Sequence, residues 1–184
     1  MRIRPLAAVL SGAGLLAASL STGSAAGAVT PFDAPSQSAT TPLFADCSSV
    51  TPNGRDYARL HRIGLCGADT TPSDEKLWVE SVGGEECGSA TLTVTSRGGG
   101  LASLAWRVAS TSGPVVDVHL EASFAGRAGD GTRRFTVSEP TLHAAGSSIA
   151  FLGAGRAAAT LSGTVQTFTA TCRVAPASVY VRLR

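Results

Sequence analysis

The chain has 184 residues, with 15 Lys+Arg against 13 Asp+Glu. Arg2 and Arg4 carry the whole positive excess and the rest is formally neutral, which argues against sequence-independent nucleic-acid binding through clustered positive charge. The length is that of one domain able to bury a proper core.

Arg2 and Arg4 open a short basic start, Leu6 to Leu20 is apolar, and Ala26-Gly27-Ala28 is a small-residue exit. That order is a secretory signal over residues 1–28, with Gly23-Ser24-Ala25 as a nearby alternative cleavage pattern. The apolar run is interrupted by Ser and Gly and falls short of the roughly 20 residues that span a bilayer, so no stable membrane insertion is expected. A single lysine, Lys76, beside heavy Ala and Gly use is the composition of a GC-rich genome such as an actinobacterium's. Val29 to Asp46 is rich in Pro, Ser and Thr and is expected to be a flexible N-terminal arm. Its apolar residues Phe32, Leu43 and Phe44 are the candidate anchors for a partner's sheet edge or groove, or for docking back onto the chain's own domain.

Residues 47–184 are expected to form a disulfide-braced β-domain. Cys47, Cys66, Cys87 and Cys172 form an even set in an exported chain, which predicts two disulfides. Of three connectivities, Cys47–Cys66 and Cys87–Cys172 are favoured. The first closes an apolar-poor region and the second ties an early strand to a late one. No Cys or His pair has metal spacing, so no metal and no cofactor is expected.

Tyr57 to Leu65, after the turn signal Pro52-Asn53-Gly54, fits either a short helix or a first strand. From Leu77 onward the pattern has period two. Ala90, Leu92 and Val94 oppose Thr91, Thr93 and Thr95, and Gly98-Gly99-Gly100 turns the chain. Leu104, Trp106 and Val108 follow. Then Val116, Val118, Leu120, Ala122 and Phe124 oppose Asp117, His119, Glu121 and Ser123. Gly129-Asp130-Gly131 reads as a hairpin turn, and Gly163 as a bulge or a split inside the run Ala157 to Ala175. The fold class is therefore all-β, an antiparallel β-sandwich, with a barrel as the other closure. The order Cys87, Trp106, Cys172 resembles the disulfide and core tryptophan of the immunoglobulin fold. Ala170 stands where that family carries a tyrosine.

Chemistry-bearing groups are sparse. His119 shares a strand face with Asp117 and Glu121, a trio that reads as a solvent face before it reads as a cation clamp. His143 neighbours Gly146-Ser147-Ser148 without a nucleophile elbow, and His61 lies between Arg59 and Arg62. Glu85 and Glu86 are adjacent, so on a strand they face opposite ways and cannot act as an acid/base pair. Asp130 between two glycines is a turn residue before it is a calcium ligand, and Gly153-Ala154-Gly155 is too short to cradle phosphate.

The leading expectation is a secreted, non-enzymatic binding or adaptor protein with an extracellular protein partner. An arm ahead of a small disulfide-braced domain resembles, in layout, the adaptor subunits of actinobacterial umbrella toxin particles, which implies a place in a secreted toxin assembly. One alternative is a protease inhibitor presenting the segment from Cys66 to Pro72. Another is a cell-wall glycan-binding module using Trp78 or Trp106.

Overall fold

The chain divides into two units, Met1–Phe32 and Asp33–Arg184. A computed structural model describes residues 35–67 and 86–184, all within the second unit. Phe32, Trp78, Glu85 and the segment beyond Gly67 therefore lie outside the described residues.

Eight strands form one antiparallel sheet: β1 Ser36–Asp46, β2 Glu86–Gly98, β3 Leu101–Ser110, β4 Val115–Gly126, β5 Gly129–Val137, β6 His143–Phe151, β7 Gly155–Thr167 and β8 Thr171–Leu183. Their order is β5-β4-β7-β8-β1-β2-β3-β6. The sheet curls until it is nearly barrel-shaped. Trp106 on β3 packs on Phe135 of β5, ring centroids 5.8 Å apart. Backbone bonds stitch the two ends of the sheet together, Val115 with Thr141 at one side and Ala128 N–H to the Leu152 carbonyl (3.0 Å) at the other.

The period-two segments face as their patterning predicts. Ala90, Leu92, Val94, Leu104, Trp106 and Val108 are buried, as are Val118, Leu120, Ala122 and Phe124. Val116 departs from the pattern, because a bulge between Val115 and Asp117 turns Val115 inward in its place. The β4–β5 hairpin turns at Arg127-Ala128, three residues ahead of the expected Asp130, because Gly129 to Gly131 already pair with Gly126 to Phe124. Gly163 is a bulge, at φ +133°, and a Cβ there would lie 2.2 Å from the His119 carbonyl oxygen. The break between β7 and β8 falls later, at Phe168 to Ala170.

The expected flexible arm is strand from Ser36 to Asp46. Ser36–Asp46 is not a free tether but a strand inside the sheet, between β8 and β2. Its polar composition reflects a ladder of hydroxyls. Ser36, Ser38 and Thr40 bond the hydroxyls of Thr95, Thr93 and Thr91 at 2.9, 2.8 and 2.9 Å. The other face buries Thr41, Leu43 and Ala45. Each hydroxyl pair satisfies two polar groups on the wet side of the sheet, as cross-strand Thr pairs do.

The ambiguous segment is a helix, α1 Pro52–His61. The Thr51 hydroxyl accepts from Gly54 N–H, Pro52 stands at the first turn, and Arg62 closes the helix in the left-handed region. The helix docks through small residues. Gly54 and Ala58 are buried, and a Cβ on Gly54 would lie 2.6 Å from the Thr169 carbonyl oxygen. Below it a buried hydroxyl cluster joins the β3–β4 and β7–β8 turns. Ser112 bonds Thr167 at 3.1 Å, Thr167 bonds the Ala170 carbonyl at 2.9 Å, and Thr169 donates to the Ser112 carbonyl.

Both disulfides pair as expected, Cys47–Cys66 and Cys87–Cys172. The first staples the two flanks of α1. The second joins β2 to β8 across the intervening β1. The immunoglobulin comparison is not reproduced in its geometry. Trp106 is paired with Leu92, five residues along β2 from Cys87, so it stands roughly 16 Å down the strand from the bridge. Gly146 makes room for the indole, since a Cβ there would lie 2.7 Å from Nε1. Among the described residues no helix is long and apolar enough to cross a membrane.

Two outcomes follow for urea denaturation. Cys87→Ala with Cys172→Ala opens a closure of 85 residues, and Cys47→Ala with Cys66→Ala one of 19. Loop-closure entropy ranks the losses at about 4–5 and about 3 kcal/mol. Gly163→Ala should cost at least about 3 kcal/mol, because it adds a left-handed φ to a backbone clash.

Candidate partner-binding groove

The sheet contains a fork. β1 pairs with β8 over only four residues, Leu43–Asp46 against Val174–Thr171. Upstream of Leu43, β1 pairs with β2 alone. Beyond Val174, β8 pairs with β7 alone. A proline stands on each strand at the point of divergence, Pro42 beside Leu43 and Pro176 two residues past Val174. Proline has no N–H to offer a ladder and is tolerated where one side of a strand is unpaired. The β7 register shift between Leu161 and Gly163 lies opposite the same stretch of β8 and bends it further.

Beside the fork lies a groove of about 630 Å³. Its walls are Ala125 and Gly126 of β4, Arg156, Ala157 and Ala158 of β7, and Tyr180, Val181 and Arg182 of β8, with Pro35 and Gln37 at the start of β1. The walls are predominantly apolar. Tyr180 is 76% exposed, a large aromatic with little of its own structure against it. Arg156 and Arg182 sit directly opposite each other in the β7–β8 register, both exposed, and no acidic residue lines the groove. Like charges in opposed strand positions are unfavourable. Exposed Arg97, Arg127 and Arg184 lie at the same end of the sheet, where Asp130 is the one described acidic side chain. Five arginines, Arg97, Arg127, Arg156, Arg182 and Arg184, thus gather at the end of the sheet that carries the apolar groove.

The sequence-predicted anchors fall elsewhere. Leu43 is fully buried in the domain's own core, so of its two expected roles it docks onto the chain's own domain and does not anchor a partner. Phe44, on the opposite face of β1, is half-buried and pairs with Arg173. Phe32 lies three residues ahead of Pro35 and outside the described residues. Trp106 is 3% exposed and so has no face to offer a sugar. Tyr180, Arg156 and Arg182 were legible only as wet-face residues of alternating strands. An aromatic on such a face was the available signal.

The chemistry-bearing residues do not converge. His119 Nε2 lies 2.8 Å from Asp117, while Glu121 pairs instead with Arg134 at 3.1 Å, which divides the expected trio. His61 packs on the Tyr57 ring, and His143 is exposed at the start of β6. Among the described residues, no three His, Cys, Asp or Glu side chains are grouped to hold a metal ion.

Two carboxyls are held below their ordinary range. The Ser138 hydroxyl, 3.0 Å away, is the main cause at Asp117. Partial loss of water opposes it, and His119 and the Val118 N–H reinforce it. At Asp46 the main cause is the Ser48 hydroxyl at 2.6 Å, with Arg173 adding attraction. A depressed folded-state value contributes stability above the unfolded-state value and loses it as pH falls through the folded one. Ser138→Ala should therefore move the Asp117 midpoint up toward 3.8, read by carboxyl NMR titration. The stability gap between wild type and Ser138→Ala should narrow as pH falls through the wild-type midpoint.

No protein-family model, no curated protein and no solved structure matches this chain.

Proposed function

We propose that this chain is a secreted, non-enzymatic adaptor whose β-domain holds an extended, acidic and apolar segment of an extracellular protein partner in the groove beside β8. The carrying observation is the groove itself: an exposed Tyr180 and an apolar floor, flanked by Arg156 and Arg182 with no acid between them. A partner's carboxylate there relieves the opposed arginines, and Arg fits it through paired N–H donors. Tyr180 supplies a stiff aromatic contact of the kind that dominates interface energies. On this reading the curled sheet is a two-layer sandwich, β5-β4-β7-β8 over β6-β3-β2-β1, joined at the β8–β1 corner. Partner capture uses the end of the domain that carries no disulfide. The signal over residues 1–28, two disulfides and the chain's layout support export and a place in a secreted, toxin-type assembly.

Selection from a displayed library of linear peptides tests this. Wild-type protein should enrich apolar peptides that carry Asp or Glu. Tyr180→Ala should weaken the winners by about 2 kcal/mol, roughly thirtyfold, with an unchanged circular dichroism spectrum. Arg156→Glu with Arg182→Glu should reverse the charge preference, and rising salt should weaken only the acidic winners. Enrichment of peptides that ignore both Tyr180 and the arginines would sink the proposal, as would single-stranded DNA displacing every winner.

A further inference from the structure

The sheet ends in two edge strands, β5 and β6, and the two are built differently. β5 reads Gly-Asp-Gly-Thr-Arg-Arg-Phe-Thr-Val and carries Asp130, Arg133 and Arg134. Charges of this kind are how exposed edges resist pairing with another chain. β6 reads His-Ala-Ala-Gly-Ser-Ser-Ile-Ala-Phe and holds no Asp, Glu, Lys, Arg or Pro. Its outward residues include Ile149 and Phe151, 61% and 63% exposed, next to the 40%-exposed Leu101 that pairs with Phe151 on β3. Its ladder runs to β3 alone, so one row of its backbone N–H and C=O groups is unpaired.

We infer that β6 is a self-association edge, pairing antiparallel with β6 of a second copy of this chain about a two-fold axis through Ser147. The sequence of β6 is self-complementary in that register. Phe151 meets His143 of the second copy, and Ile149 meets Ala145, so each bulky outward side chain faces a smaller one. On the inward side Ala144 meets Ala150, and Gly146 meets Ser148, all small. Opposed positions in an antiparallel pair bring Cβ atoms to about 4.5–5.5 Å, which these combinations fill without collision. A two-fold contact uses the same patch on both copies and closes at a dimer, so it does not propagate. The same operation centred on β5 sets Arg133 against Arg133, a like-charge pair that disfavours that register. The β6 edge and the groove are built on different strands, and they approach each other where Gly126 of the groove wall meets the Leu152 carbonyl just past β6.

Sedimentation velocity of the mature protein, from low micromolar to sub-millimolar concentration, should show a monomer–dimer equilibrium. Ser147→Lys sets two ammonium groups against each other on the axis and should weaken dimerisation at least about tenfold. Arg133→Ala on β5 should leave it unchanged. Ser147→Cys should form an intermolecular disulfide under mild oxidation, seen as a doubled mass on a non-reducing gel, whereas Ser123→Cys on β4 should not. This second variant keeps the test sharp if Ser147→Lys folds poorly. A wild-type protein that stays monomeric throughout would overturn the inference. So would a dimer indifferent to Ser147→Lys in a folded variant, or a Ser147→Cys protein that never cross-links.

Discussion

The four-residue ladder between β1 and β8 is the contact on which the rest of the domain depends. Among the described strands it is the one ladder that joins β5-β4-β7-β8 to β1-β2-β3-β6. Four antiparallel pairs are a weak hinge by themselves. The Cys87–Cys172 bridge crosses the same point, linking the strands on either side of β1. The Ser112–Thr167–Thr169 hydroxyl cluster sits beside it and leaves those buried polar atoms satisfied. The fork opens where this reinforcement stops.

That placement gives the domain a rigid end and an open one. At the rigid end α1, both disulfides and the hydroxyl cluster gather around the β3–β4 and β7–β8 turns. At the open end the hairpin turns, the splayed start of β1 and a group of arginines surround the groove. A binding surface requires exposed apolar area and uncompensated charge, and both cost stability. Covalent closure at the far end offsets that cost without occupying the surface. The proline on each strand has the same logic, since Pro42 and Pro176 stand where the β1–β8 ladder ends, several residues before the groove.

Much of this was legible in the sequence, for a physical reason. Period-two burial is local, so Ala90-Leu92-Val94, Leu104-Trp106-Val108 and Val118 to Phe124 show their inward faces without knowledge of their neighbours. The cysteine pairing was favoured from the sequence and not fixed by it, because Cys66–Cys87 with Cys47–Cys172 would also close one short polar segment and one long span. β1 was not legible. Ser36, Ser38 and Thr40 are polar because they meet Thr95, Thr93 and Thr91 across the strand, and that partner lies over fifty residues away. Composition reads such a face as tether, whereas the sheet uses it as a hydroxyl ladder. Val116 was misplaced for a related reason, since a bulge shifts the phase of alternation without altering the residues that alternate. The groove is a property of sheet order, and no local pattern encodes which strands diverge.

The two edges and the fork together suggest why a small domain would carry separate surfaces. The groove lies along β7 and β8, and the unprotected edge lies at β6, on the far side of the sheet order. A dimer through β6 presents two grooves at a fixed separation, and two binding sites on one rigid body convert a weak segment contact into a much tighter one when the partner offers two segments. That gain needs no further contact within either groove. It needs only that the edge between the copies be stiff, and a continuous antiparallel sheet running through the two-fold axis is stiff in the direction that sets the spacing of the grooves.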